Sequence, residues 1–81
     1  MVVHTFSDLS IGSEYIIVMT NHDGTDSLGG LTGCTQVWRY YCYGQIYDHN
    51  CSAYVLLVKA TATEITIRLT TFKSGAILIA V

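Results

Sequence analysis

The feature that most constrains this fold is a series of short apolar runs separated by residues that favour turns. The runs are rich in Val, Ile, Thr and Tyr, and Gly, Asn, Asp and Ser cluster between them. The sequence contains no proline. We predict five strands, at residues 14–20, 36–47, 53–60, 64–70 and 76–81. Strands joined by tight turns predict an all-β fold, a small five-stranded antiparallel barrel or sandwich.

The length of 81 residues predicts a single domain, residues 1–81. A short helical turn is expected near the start, at 5–12, where Ser7 or Asp8 would cap it and Gly12 would end it. Residues 21–35 contain four of the seven glycines. They predict either a long glycine-rich loop or a hairpin with a short strand around Leu31 and Thr32.

Residues 36–47 form the central predicted strand, because they hold five of the nine aromatic residues. Successive side chains of a strand point to opposite faces. One face would carry Trp38, Tyr40, Cys42, Gly44 and Ile46, and the other Arg39, Tyr41, Tyr43, Gln45 and Tyr47. We predict that the first set faces the interior and the second faces outward, with Gly44 allowing the strand to bend.

The order of these segments resembles that of the small SH3-like and Sm-like barrels. Residues 8–18 resemble their entry, a short helix or loop followed by a glycine-led strand, and residues 55–79 resemble their closing hairpins. The resemblance implies a five-stranded barrel. It implies no function, because the RNA-binding signature of the Sm-like family is absent.

The composition predicts self-association. Hydrophobic residues make up 51% of the chain and charged residues only 12%, about half the charged share of soluble domains. So small a domain cannot cover its surface with that little charge, and a homo-oligomer would bury the excess apolar surface. The alternative is a poorly soluble monomer.

The charge balance excludes binding of duplex nucleic acid by one protomer. The net charge is −2 and there are four Lys and Arg residues, whereas duplex binders neutralise roughly six to ten phosphates. We also expect no membrane association, because the longest apolar run, 76–81, is too short to span a bilayer. Without a secretory signal, the three cysteines are expected to be reduced thiols of a cytoplasmic protein.

The outward face of residues 36–47 is the predicted ligand-binding site. Tyrosine rings can stack on a nucleobase, which contributes roughly 1–3 kcal/mol per base, and a guanidinium can bind a phosphate through two hydrogen bonds. The predicted site residues are Arg39, Tyr41, Tyr43, Gln45, Tyr47 and Lys59, with Lys59 expected opposite Tyr41. Alternatively, the tyrosines pack against a second protomer. A ligand site between protomers would satisfy both hypotheses.

No cofactor, metal site or catalytic group is predicted. The set Cys34, Cys42, Cys51, His22 and His49 matches no paired-ligand zinc spacing. His49 and Cys51 could form a base and nucleophile, but no residue that would orient the imidazole stands out. We therefore predict that the protein is not an enzyme.

Three functional hypotheses follow. The first is a homo-oligomeric binding protein that takes a compact ligand between protomers; as a phage anti-defence protein it would sequester a nucleotide immune signal. The second is a protein-interaction module or viral inhibitor that acts by surface contact with a host protein. The third is a purely structural oligomer.

Overall fold

A computed structural model shows two antiparallel β-sheets packed face to face. It describes residues 1–22, 27–71 and 73–81. The strands are β1 (Val2–Phe6), β2 (Glu14–Asn21), β3 (Leu28–Thr32), β4 (Cys34–Ile46), β5 (His49–Ala60), β6 (Ile65–Leu69) and β7 (Ser74–Ala80). The three-stranded sheet has the order β1-β6-β3 and the four-stranded sheet the order β4-β5-β2-β7.

The all-β prediction is confirmed, but the predicted number of five strands is wrong, and of the two predicted architectures, barrel or sandwich, the barrel is not formed. Seven strands form two sheets that do not close, so the barrel implied by the SH3-like resemblance is not formed. The additional strands are β1 and β3, which flank β6 on its two sides. β3 lies within the segment 21–35, of which residues 23–26 are outside the described residues.

The predicted N-terminal helical turn is also wrong. Val2–Phe6 pairs along the whole of β6, and this pairing holds the backbone extended. One bend and one turn follow, and the backbone amide of Gly12 donates to the carbonyl of Ala60 at 2.8 Å. Across the described ranges, no helix is long and apolar enough to cross a membrane.

The core lies between the two sheets and is formed mainly by β2, β5 and β6. On each of these strands every second residue is buried, as expected where one sheet face is covered. Fully buried apolar side chains are Ile17, Met19, Tyr54, Leu56, Val58, Ile65, Ile67 and Leu69. Each contributes roughly 1.5–3 kcal/mol through burial, so this layer holds the two sheets together.

Gly33 takes the chain from β3 in one sheet directly to β4 in the other. Its φ is +85°, which side chains rarely adopt, and a Cβ placed there would collide with the backbone carbonyl of Glu64. Its own carbonyl accepts hydrogen bonds from the amides of Thr61 at 2.9 Å and Ala62 at 3.2 Å. The crossing between sheets therefore requires glycine at this position.

Pairing shows no β-bulge at Gly44, the position at which we predicted a bend. Gly44 pairs with Cys51 in a register that runs without interruption to the end of the hairpin. The register of β4 shifts between Gln36 and Trp38 instead, which is the signature of a β-bulge.

The hairpin formed by β4 and β5 extends beyond the rest of the molecule. β2 ends at Asn21 opposite Ser52, so the last part of the hairpin has no third strand beside it, and the molecule measures 41 × 21 × 16 Å. Two residues, Tyr47 and Asp48, form the turn, with φ of 50° and 64°. Residues 48–52, which separate the predicted strands 36–47 and 53–60, are mostly strand, because β5 begins at His49.

Candidate binding surfaces

The two faces of β4 are oriented opposite to our prediction. Tyr41 pairs with Tyr54, which is fully buried between the sheets. Directly paired residues of antiparallel strands have their side chains on the same face. Tyr41 therefore lies on the inner side, whereas Trp38 and Tyr40 lie on the outer side, 52% and 53% exposed.

The inner side of β4 carries a cluster of aromatic rings and one cation. The Tyr41 ring lies 4.9 Å from the Tyr54 ring and 6.5 Å from the Tyr43 ring, distances typical of favourable aromatic pairs. The Arg39 guanidinium carbon lies 5.4 Å from the centre of the Tyr54 ring, within cation–π range. Arg39 and Tyr41 are half-buried, so Tyr43, 67% exposed, offers the most accessible ring of the cluster.

The remaining predicted site residues lie apart from this cluster. The Gln45 side chain donates to the Asn50 side chain at 3.1 Å, and Tyr47 is 91% exposed in the turn. Lys59 pairs with Thr35 on β4 and Glu14 on β2, on the outer side of the sheet. Our prediction that Lys59 lies opposite Tyr41 is wrong, and the two residues face opposite sides.

The outer side of the four-stranded sheet is an almost continuous apolar surface. The strand registers align two rows across all four strands, Trp38–Leu57–Ile16–Ile79 and Tyr40–Val55–Val18–Ile77. We call these eight residues the outer apolar face. The rings of Trp38 and Tyr40 stack at 6.1 Å with only 9° between their planes, which makes this part of the face flat.

The three-stranded sheet contrasts with this surface. Its outward positions include Thr5, Thr32, Thr66 and Arg68, as expected for a sheet that faces water. The outer apolar face could have been anticipated from β2, β5 and β7, which are apolar at both odd and even positions. That pattern indicates strands covered on two sides, yet within the described residues only one side is covered.

A groove of about 600 Å³ continues from the outer apolar face towards the hairpin. It is lined by consecutive residues from all four strands, 20–22, 42–44, 51–53 and 73–75. The outward positions here are small, and one row reads Cys42–Ala53–Thr20–Gly75 across the sheet. The groove exists because these small side chains lie beside the bulky row that contains Tyr40.

The groove ends at a cluster of nitrogen-bearing side chains. A backbone hydrogen bond joins two of the segments that supply them, from the His22 amide to the Lys73 carbonyl at 2.9 Å. The His22 and His49 rings lie 5.3 Å apart. Of the described groove-lining residues, Lys73 alone carries a full charge at neutral pH, and no carboxylate lines the groove. This end therefore favours an anion over a cation.

The cysteines do not assemble into a metal site or an obvious catalytic pair. All three are free thiols, and the described residues contain no group of three or more metal-ligating side chains. The Cys51 thiol lies 3.9 Å from the backbone carbonyl of His49, while the imidazole packs on His22. Burial raises the pKa of the Cys34 thiol above its ordinary value of 9.0, which keeps it protonated and weakly nucleophilic.

Comparison with known proteins gave no match: no family model matches the chain, no curated protein is similar to it in sequence, and no solved structure is similar to its fold.

Proposed function

We propose that this protein is a non-enzymatic, self-associating binding protein whose copies pack together through the outer apolar face. The observation that carries the proposal is the contrast between the two sheets. One outer side is mainly polar, with Val3 among its threonines and Arg68, and the other presents eight apolar side chains in two aligned rows. A second copy of the same face is the occupant that best matches this surface.

The size of the face supports a protein partner. Trp38 and Tyr40 are each about half exposed, and they leave ~200 Å² of aromatic surface accessible, since a fully covered aromatic side chain buries about 150–250 Å². With the six aliphatic neighbours the patch reaches roughly 500 Å², near the upper end for monomeric proteins. A stable interface needs about 800 Å² per partner, and the exposed side chains of Val37 and Val81 add to it.

The shape of the face supports a copy of itself as that partner. Two flat sheets can pack about 10 Å apart with interdigitated side chains, as the two layers of a sandwich do. A two-fold axis that lies in the interface plane, parallel to the strands, would place the two copies face to face. It would set the aliphatic half of one copy, on β2 and β7, against the aromatic half of the other, on β4. Such an interface is self-complementary, as closed dimers require.

The decisive experiment is Ile77→Glu, examined by light scattering after size-exclusion chromatography over a concentration series. Ile77 is 58% exposed at the centre of the β7 edge of the face. A carboxylate there costs the monomer little, but in the dimer it would be buried without a partner. We expect the native protein to have a multiple of its 8.9 kDa mass and the variant to be monomeric.

Val3→Glu is the matched control. Val3 is 51% exposed on the outer side of the other sheet, opposite Arg68, so the same new charge should leave the oligomer intact. A native protein of 8.9 kDa up to about 1 mM, where even an association free energy near −4 kcal/mol would be detected, would overturn the proposal. So would an equal loss of mass in both variants.

A compact ligand is the second part of the proposal, because Tyr43 is 67% exposed and presents a ring for stacking on the inner side of β4. Arg39, Tyr41 and Tyr54 form a cluster next to it, so a nucleotide base on Tyr43 would be close to one guanidinium. The narrower hypothesis, sequestration of a nucleotide immune signal, stays a prediction. Tyr43→Ala should abolish a thermal shift by nucleotides and leave the mass unchanged; no shift with any common nucleotide would contradict it.

A further inference from the structure

The groove beside the outer apolar face has the properties of a small-molecule site. Its volume of about 600 Å³ falls within the range of roughly 300–1,000 Å³ that ligand pockets occupy. It is formed by a single chain and does not depend on self-association. We propose that it binds a compact apolar or aromatic molecule that carries one anionic group, such as a carboxylate, sulfonate or phosphate.

The floor of the groove would hold the apolar part of the ligand. Gly44 and Gly75 expose backbone with no side chain above it, and Ala53 and Cys42 add small apolar groups. A flat ring system can therefore approach the sheet closely. Tyr43 contributes to the lining between Cys42 and Gly44, while its ring lies with Tyr41 on the inner side of the strand.

The far end of the groove would hold the anion. Lys73 supplies a permanent positive charge there, and His22, whose ring packs on that of His49, also lines this end. The absence of carboxylates among the described groove-lining residues leaves this charge unopposed inside the groove. The apolar floor and the cationic end together favour molecules that have both an apolar part and an anionic group.

The glycines of the floor allow a test that leaves the backbone unstrained. A Cβ added at Gly75 would have its nearest neighbour, the Thr20 hydroxyl oxygen, at 3.6 Å, an ordinary contact, and one at Gly44 would meet nothing within 4 Å. Neither glycine has a positive φ. Gly75→Leu should therefore fold normally and fill the groove with its own side chain.

Two fluorescent probes separate the apolar and anionic contributions. Anilinonaphthalene sulfonate carries the anion, and N-phenylnaphthylamine is the same ring system without it. At protein concentrations low enough for the monomer to predominate, we expect Gly75→Leu to weaken both probes about tenfold or more. Lys73→Gln should weaken only the sulfonate, about fivefold to tenfold, as expected for loss of a charge-assisted contact.

Lys59→Gln is the control for charge, since Lys59 lies on the same side of the sheet but at its opposite end, beside Glu14. It should leave both affinities unchanged. The proposal is overturned if Gly75→Leu leaves probe binding unchanged, or if Lys73→Gln and Lys59→Gln have the same effect. It is also overturned if Gly75→Leu changes the oligomer mass and not the probe affinity, because the groove would then be part of the interface between copies.

The test of ligand binding in the groove can be separated from the test of self-association through the outer apolar face. Ile77→Glu lies outside the groove lining, so a monomeric Ile77→Glu variant that still binds the sulfonate supports the groove independently. Loss of sulfonate binding in a monomeric, folded Ile77→Glu variant would show that the probe occupies the outer apolar face instead, and would contradict the proposal.

Discussion

The turn of the long hairpin gives the sharpest prediction about stability. Tyr47 and Asp48 join Ile46 to His49 as a two-residue loop, and both have positive φ, 50° and 64°. These values are typical of a type I′ turn, for which Asn-Gly is the preferred sequence. The native pair is therefore poorly suited to its own backbone, and replacing it by Asn-Gly should stabilise the fold.

The magnitude follows from the geometry of the turn. A left-handed backbone costs an ordinary side chain roughly 1–2 kcal/mol per residue, less for Asn and Asp and least for Gly. Tyr47 is 91% exposed, so its replacement sacrifices almost no buried surface. After the larger backbone entropy of an unfolded glycine is subtracted, we expect a net gain of about 1 kcal/mol. For a domain of this size that gain raises Tm by about 4–8 °C.

The assay is thermal and urea unfolding of the double variant Tyr47→Asn/Asp48→Gly beside the native protein. Tyr43→Asn is the control, because it makes the same chemical change in the same hairpin where the backbone is extended. The control should not be stabilised, and loss of its stacking on Tyr41 should lower stability slightly. An unchanged slope of free energy against urea would confirm that the gain belongs to the folded state.

The reasoning is refuted if the double variant is no more stable than the native protein. That result would mean that the Tyr47 ring makes contacts in solution that outweigh the strain of its backbone, for example with a second copy. Repeating the measurement at several protein concentrations tests this explanation, because a Tyr47 contact between copies would make the difference in Tm between the native protein and the double variant depend on concentration.

Three further predictions concern the crossing, a thiol and the apolar face. Gly33→Ala should lower stability by about 3–5 kcal/mol and largely abolish folding, because its Cβ meets the Glu64 carbonyl, whereas Gly44→Ala should unfold at nearly the native temperature by circular dichroism. The raised pKa of Cys34 means that its contribution to stability is complete below the ordinary value of 9.0 and is lost as pH rises towards the folded value. Tm measured across that alkaline range should therefore fall less in Cys34→Ala than in the native protein, and equal slopes would contradict the buried thiol. Trp38→Ala removes ~100 Å² of exposed surface per copy, ~2.5 kcal/mol in each of two copies. The dimer Kd by sedimentation should therefore rise several thousandfold, and an unchanged Kd would show that Trp38 lies outside the interface.

The extended character of most of this chain follows from local chemistry that the sequence displays directly. β-branched and aromatic runs between turn-forming residues predicted the main strands to within a few residues, as in Glu14–Asn21 and Ile65–Leu69. β1 and β3 were less visible, because Leu28–Thr32 contains two glycines and Val2–Phe6 has little alternation of its own. Both are strands because β6 offers a hydrogen-bonding edge on each side, and these edges form only in the tertiary structure.

The alternation along β4 shows where sequence reasoning stops. A period of two correctly divides residues 38–45 into two faces, since side-chain direction is a local property of extended backbone. Which face is covered depends on register and on the second sheet: Tyr41 lies opposite Tyr54, and Tyr54 is buried by residues far away in sequence. The low share of charged residues, 12%, alone predicted that part of the surface would be buried in a homo-oligomer. Only the tertiary structure decided that Trp38 and Tyr40, and not the residues on the Arg39 side of the strand, are exposed on the outer side, because packing of the second sheet covers one face of a strand and leaves the other accessible.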